Sequence, residues 1–197
     1  MPAAISVNRS TTRLREFDYA SSGAYFVTVC AAQKAHLFGA VSSGEVQCSE
    51  IGDVILEEWR ASAQIRQELA LDAFVIMPNH IHGIVWLLEE NQAVLSHASI
   101  VSGVGATGRS PLRGNVAAGP AKKSLGAFVA GFKSAVTTRI NKARATPSVP
   151  VWQRNYHDRI IRNDRELNAV REYIAFNPHN WSSDLEAQSE PMWDVAA

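Results

Sequence analysis

Two cysteines in 197 residues, Cys30 and Cys48, are too few and too far apart for a disulfide framework or a CxxC metal site. No apolar run reaches the roughly 18 residues that a membrane-spanning helix requires. The first residues, MPAAISVNRSTTRLREF, lack the apolar stretch of a secretory signal, so a reduced cytoplasmic setting with no membrane partner is expected. There is no GxxxxGK[ST] loop, which argues against chemistry driven by nucleotide hydrolysis. There is also no net charge, since 19 Lys and Arg balance 19 Asp and Glu, and taken alone that argues against a nucleic-acid partner.

What is present points elsewhere. The charge is unevenly spread: residues 1–120 carry a net −3, residues 121–173 a net +7, and the rest a net −4. A segment this basic within a neutral chain is a candidate footprint for phosphate, although a solvated helix face has the same composition. With 46% hydrophobic residues the chain can bury the core of one ordinary domain. We expect an arm at 1–22, one folded domain over 23–181 and an acidic tail at 182–197. The Gly-, Ala- and Ser-rich stretch at 89–123 has little periodicity and reads as a long insertion within that domain.

Local patterns give the elements. GAYFVTVCA (23–31) reads as a strand, and AHLFGAV and VQCSE, joined through Gly44, as a hairpin continuing its sheet. A helix capped by Ser49 or Asp53 should follow, burying Ile51, Val54, Ile55, Trp59 and Ile65. LDAFVIM and HIHGIVWLL form two strands around Pro78–Asn79. From Ser124, residues Leu125, Phe128, Val129, Phe132, Val136 and Ile140 mark an amphipathic helix, and HDRIIR a short strand. The last helix begins at Asn163, capped with the help of Glu166, buries Leu167, Val170 and Ile174, and should stop at Asn177–Pro178. Helices mixed with an antiparallel-leaning sheet make an α+β sandwich.

His80 and His82 stand at i and i+2 of a strand, so both project from one sheet face and can converge on one metal ion. Tyr173 and Asn177 stand at i and i+4 of a helix and share a side of it. An Asn amide oxygen can complete a hard-cation site, and a phenol beside a cation is an activated nucleophile. From spacing alone, two hydrogen-bonded histidines, an amphipathic-helix tyrosine and a helix-terminating asparagine are the better account of the same residues.

The ordered set MPNHIHGIV and YIAFNP, with NRSTTRLREFDYASSGAYFVTVCAA, LFG at 37–39, GAFVAGFKSAVTTRIN and VWQRNYHDRIIRNDRELNAVREYIAFNP, resembles the REP-associated tyrosine transposases. These are a branch of the HUH-type single-tyrosine transposases, and the resemblance covers about residues 9–181. It implies a ferredoxin-like βαββαβ core: an antiparallel sheet with helices on one face, the histidine pair on a central strand and an added C-terminal helix carrying the tyrosine. It implies that His80 and His82 are metal ligands, Asn177 the third ligand and Tyr173 the nucleophile. It further implies Mg2+ or Mn2+, cleavage and rejoining of single-stranded DNA near hairpins or palindromic repeats, and a monomer or homodimer among bacterial nucleoid DNA. The 89–123 insertion is longer than in the compact members.

Lys122, Lys123, Lys133, Arg139, Arg154, Arg159 and Arg162 are candidates for the DNA backbone, and Trp152 and Tyr156 for stacking on unpaired bases. Tyr156, beside His157 and Asp158, is also a rival nucleophile. Histidine-triad hydrolases fit poorly, because position 84 is Ile where a third histidine belongs. Two-histidine phosphoesterases fit no better, since neither histidine is followed two residues on by Ser or Thr. A transposase-derived module that binds repeats without cleaving them is the alternative.

Overall fold

A computed structural model describes residues 21–89 and 123–181. Nearly all of the expected arm and insertion, together with Lys122 and the acidic tail, lie outside the described residues.

Strand β1 (Gly23–Cys30) alternates as a two-faced strand should: Tyr25, Val27 and Val29 are buried on one side, and Ala24, Phe26 and Thr28 point to the other. A short 3-10 turn, Ala32–Lys34, then redirects the chain with positive φ at Gln33 and Lys34. Strands β2 (Gly39–Ser42) and β3 (Glu45–Cys48) follow as a hairpin, with Gly44 at φ +78 in the turn. The hairpin does not continue the sheet of β1, as the sequence suggests, but forms a two-stranded sheet of its own. The reason is that both edges of β1 are taken, by β5 on one side and β6 on the other.

Helix α1 (Glu50–Ile65) is capped by Ser49, whose Oγ accepts from the amide of Gly52. It buries Ile51, Ile55 and Trp59, whereas Ile65, its last residue, is exposed, contrary to expectation. Strands β4 (Leu69–Met77) and β5 (His80–Leu87) pair across Pro78–Asn79. Helix α2 (Leu125–Ala143), capped by Ser124, buries all six apolar residues that its periodicity marks. Strand β6 (His157–Ile161) and helix α3 (Asp164–Asn180) are the last elements among the described residues. Asn163 caps α3 by accepting from Glu166 N, while the Glu166 carboxylate reaches back to the amide of Arg162. The helix does not stop at Pro178: that ring removes one amide donor, and the helix continues to Asn180, with Trp181 N–H closing on the Pro178 carbonyl.

The main sheet has the order β4–β5–β1–β6, with every neighbouring pair antiparallel. Strands β1 and β4 lie on either side of β5, the split βαβ arrangement of a ferredoxin-like fold. Helices α1 and α2 cover one face, packing Trp59, Phe128 and Phe132 against Tyr25, Val27, Ile81 and Val85. Gly83 makes room there, since a Cβ on it would stand 2.6 Å from the Trp59 ring. Helix α3 covers the other face, seating Leu167, Val170 and Ile174 on Ala24, Ile84 and Ile161. Among the described residues no helix is long and apolar enough to cross a membrane.

Candidate active site

Central strand β5 is buried on both sides, which explains the nearly continuous apolar run around its histidines. The turn that leads into it is pinned, because Phe38 N donates to Pro78 O and Ala31 N to Asn79 O. Registration with β1 sets His82 opposite Thr28, and Gly83 opposite Val27. Since Val27 faces α1 and α2, His80 and His82 face α3.

Both imidazoles are buried, and their Nε2 atoms approach to 2.9 Å. His80 Nδ1 lies 2.8 Å from Asn79 Oδ1, and His82 Nδ1 lies 2.8 Å from Thr28 Oγ1. The Asn79 oxygen can only accept, so His80 carries its proton on Nδ1 and turns a lone pair outward on Nε2. The Thr28 hydroxyl either donates or accepts, so His82 can hold its proton on either nitrogen. With the His82 proton on Nε2, that N–H donates to His80 Nε2; with the proton on Nδ1, both Nε2 lone pairs face one point. Burial, and secondarily the neighbouring His80, pushes the His82 pKa down to about 3, which keeps that imidazole neutral.

Tyr173 reaches the same place from α3. Its hydroxyl lies 3.4 Å from His82 Nε2, its ring centroid 5.3 Å from that of His82, and Phe26 stacks on His82 while presenting its edge to Tyr173. The tyrosine remains 48% exposed. Asn177, one turn on, is 2% exposed, and its buried Oδ1 has no hydrogen-bond partner among the described residues. Trp181 lies beyond it, its ring 6.0 Å from that of His80.

These donors suit a hard divalent cation. Two cis ligands at about 2.1 Å from an octahedral ion stand about 3 Å apart, close to the Nε2 separation. A buried amide oxygen lacking a donor is a natural third ligand. Among the described residues no group of three or more His, Cys, Asp or Glu gathers at a metal-binding distance.

The remaining candidates are scattered. Lys133 donates to the carbonyls of Gln153, Arg154 and Asn155, and its pKa is lowered, chiefly by burial. Arg139 pairs with Glu57 and Glu58 of α1, and Arg159 with Glu166. Lys123, Arg154 and Arg162 are exposed. Trp152 is buried between Phe38 and Phe132, where no base can reach it. Tyr156 packs against the core under α1 and α2, on the sheet face away from the histidines, which removes the geometric basis for treating it as a rival nucleophile. Sequence reasoning missed Thr28, Phe26 and Trp181, whose importance depends on register and packing, and treated Asn79 as a turn residue only.

No family model matches the chain. An uncharacterized protein of Haemophilus influenzae is 32% identical over 177 residues, covering 90% of this chain and 92% of that protein. Among solved structures, a REP-associated tyrosine transposase bound to a REP hairpin is similar at a TM-score of 0.52 and 15% identity, over 86% of this chain and 74% of that one. The chain therefore belongs to one family with the Haemophilus influenzae protein, and it has the fold of the REP-associated tyrosine transposase.

Proposed function

We propose that this protein is a metal-dependent nicking and joining enzyme for single-stranded DNA at hairpins or palindromic repeats, with Tyr173 as nucleophile. The observation that carries the reading is the convergence of Tyr173 Oη on the His80–His82 pair, 3.4 Å from His82 Nε2. The transposase of similar fold is bound to a hairpin, which favours DNA of that kind as substrate here.

In this reading His80, His82 and Asn177 hold Mg2+ or Mn2+, which, when bound, supplies positive charge to a non-bridging oxygen of the scissile phosphate. The Tyr173 oxygen attacks the phosphorus in line, its proton leaving to water at the open side of the ring. The P–O3′ bond breaks, the 3′ oxygen takes up a proton, and a 5′-phosphotyrosine remains. One phosphodiester replaces another, so no nucleotide hydrolysis is needed, and a 3′ hydroxyl can reverse the step onto a new strand. Thr28 and Asn79 keep the imidazoles aimed. Phosphate contacts fall to Lys122, Lys123, Arg154 and Arg162, with Arg159 available where DNA displaces Glu166.

The test is a labelled single-stranded hairpin incubated with Mg2+ or Mn2+ and resolved under denaturing conditions. A covalent protein–DNA adduct that vanishes in Tyr173→Phe is expected. Salt-sensitive binding with no adduct in either metal would identify a binding module without catalysis.

A further inference from the structure

The flank of α3 opposite the tyrosine carries a polar network that the chemistry above does not use. Arg171 forms a two-pronged contact with Asp72 of β4, Nε to Oδ1 at 3.0 Å and Nη2 to Oδ2 at 2.6 Å. Trp86 Nε1 donates to the same Oδ2 at 3.2 Å, and Ala73 N to Oδ1 at 2.7 Å. Four donors thus converge on one carboxylate, and the Arg171 contact, first among them, holds its pKa below the ordinary value. Asp72 occupies an irregularity in the sheet: β4 advances from Leu71 to Phe74 while β5 moves only from Val85 to Gly83. Such a bulge re-aims a side chain, and here the Asp72 carboxylate itself satisfies the freed amide of Ala73.

We propose that Asp72 and Arg171 are positioning residues, a clamp that sets the roll of α3 about its own axis and thereby the distance of Tyr173 from the histidine pair. The inference rests on the proposed role of Tyr173. At 3.6 residues per turn, positions 171 and 173 lie about 200° apart around the helix, on opposite flanks of the seat made by Leu167, Val170 and Ile174. An apolar seat resists lifting but is poorly directional, so it tolerates rolling. A roll of about 10° moves a side-chain tip at about 5–6 Å from the axis by about 1 Å. Displacement of a reacting group by that much costs on the order of 100-fold in rate. A bidentate arginine–carboxylate contact, with its fixed planar geometry, suppresses such a motion.

Asp72→Asn keeps the shape but turns an NH2 group toward donors, and Arg171→Lys keeps the charge but loses the fork. Single-turnover cleavage should fall on the order of 10- to 100-fold in Asp72→Asn, and less in Arg171→Lys, with hairpin affinity unchanged. Glu172→Gln, exposed on the same helix, should leave both at parent values. An independent readout is the His82 ring-proton resonance, which senses the Tyr173 ring: in both clamp variants it should move toward its position in Tyr173→Leu. Parent-rate cleavage and an unmoved resonance in the variants overturn the clamp and leave the proposed function standing. If the parent forms no adduct, that reading fails, and the resonance alone decides: movement supports the clamp as a positioning device, and no movement overturns it. Should Asp72→Asn not fold, Arg171→Lys decides by the same two measurements.

Discussion

On the sheet face under α1 and α2, Tyr25, Val27, Val29, Ile81 and Val85 meet Trp59, Phe128 and Phe132 in an almost wholly apolar layer. On the face under α3, a smaller apolar seat is flanked by His80, His82 and Thr28 and by Asp72, Trp86 and Arg171. The strands are the same, and alternate residues of β1 and β5 serve the two purposes. The first face supplies the stability with which the second can keep in place buried imidazoles and an Asn177 oxygen that has no partner among the described residues. Changes on the first face should therefore cost folding, and changes on the second should cost chemistry.

The sharpest break in that comparison comes from His80→Ala, His82→Ala and Asn177→Ala. Removing an imidazole should lower cleavage by about 1,000-fold or more, reflecting several kcal/mol of lost charge stabilisation, with hairpin binding retained. Asn177→Ala should have a smaller effect of the same sign. Gel-shift and cleavage assays on the same preparations check this, and undiminished cleavage in both histidine variants sinks the site. Thr28→Val, which removes only the hydroxyl facing His82 Nδ1, should weaken Mn2+ binding by about 10- to 100-fold in calorimetric titration. An unchanged affinity would mean that Thr28 does not orient the ring.

Gly83→Ala tests the other face. Its new methyl would meet Trp59, and the expected loss is about 1–3 kcal/mol in urea unfolding, with cleavage per folded molecule unaltered. A loss of cleavage without a loss of stability would contradict the division between the faces. The last prediction concerns pH. In the metal-free protein the His82 pKa is depressed from 6.5 to about 3, so its contribution to stability is complete above about pH 6.5 and is lost as the pH falls toward 3. The slope is at most about 1.4 kcal/mol per pH unit for one proton. Asp72, with a pKa below the ordinary carboxylate value, loses its contribution only at more acidic pH. Between pH 6.5 and 4, His82→Leu should show a flatter acid limb than the parent, and identical limbs would refute the assignment to His82.

The helices were legible because their signals are local: Ser49, Ser124 and Asn163 cap where a short polar side chain precedes an apolar period, and the α2 stripe is buried in full. The histidine pair was legible because i and i+2 of a strand share a face whatever the sheet order. Thr28 was not, since its place opposite His82 depends on a register joining residues 54 apart in sequence. Nor was the contact of Asp72 with Arg171, 99 residues away and built on a bulge that no composition announces. The charge count carries less detail in a related way. Within the segment of net +7, Lys133, Arg139, Arg159 and Arg171 are engaged inside the chain, because a tally of charges carries no information about their neighbours.

The central claim is that one divalent cation sits among His80, His82 and Asn177, with the residue-173 ring beside it. Anomalous diffraction from crystals of Tyr173→Phe grown with hairpin DNA and Mn2+ tests it most directly. The account predicts a manganese peak within coordination distance of both Nε2 atoms and of Asn177 Oδ1, with a DNA phosphate between it and the residue-173 ring. A manganese ion bound elsewhere on the chain, or imidazoles still hydrogen-bonded to each other at saturating Mn2+, would contradict it.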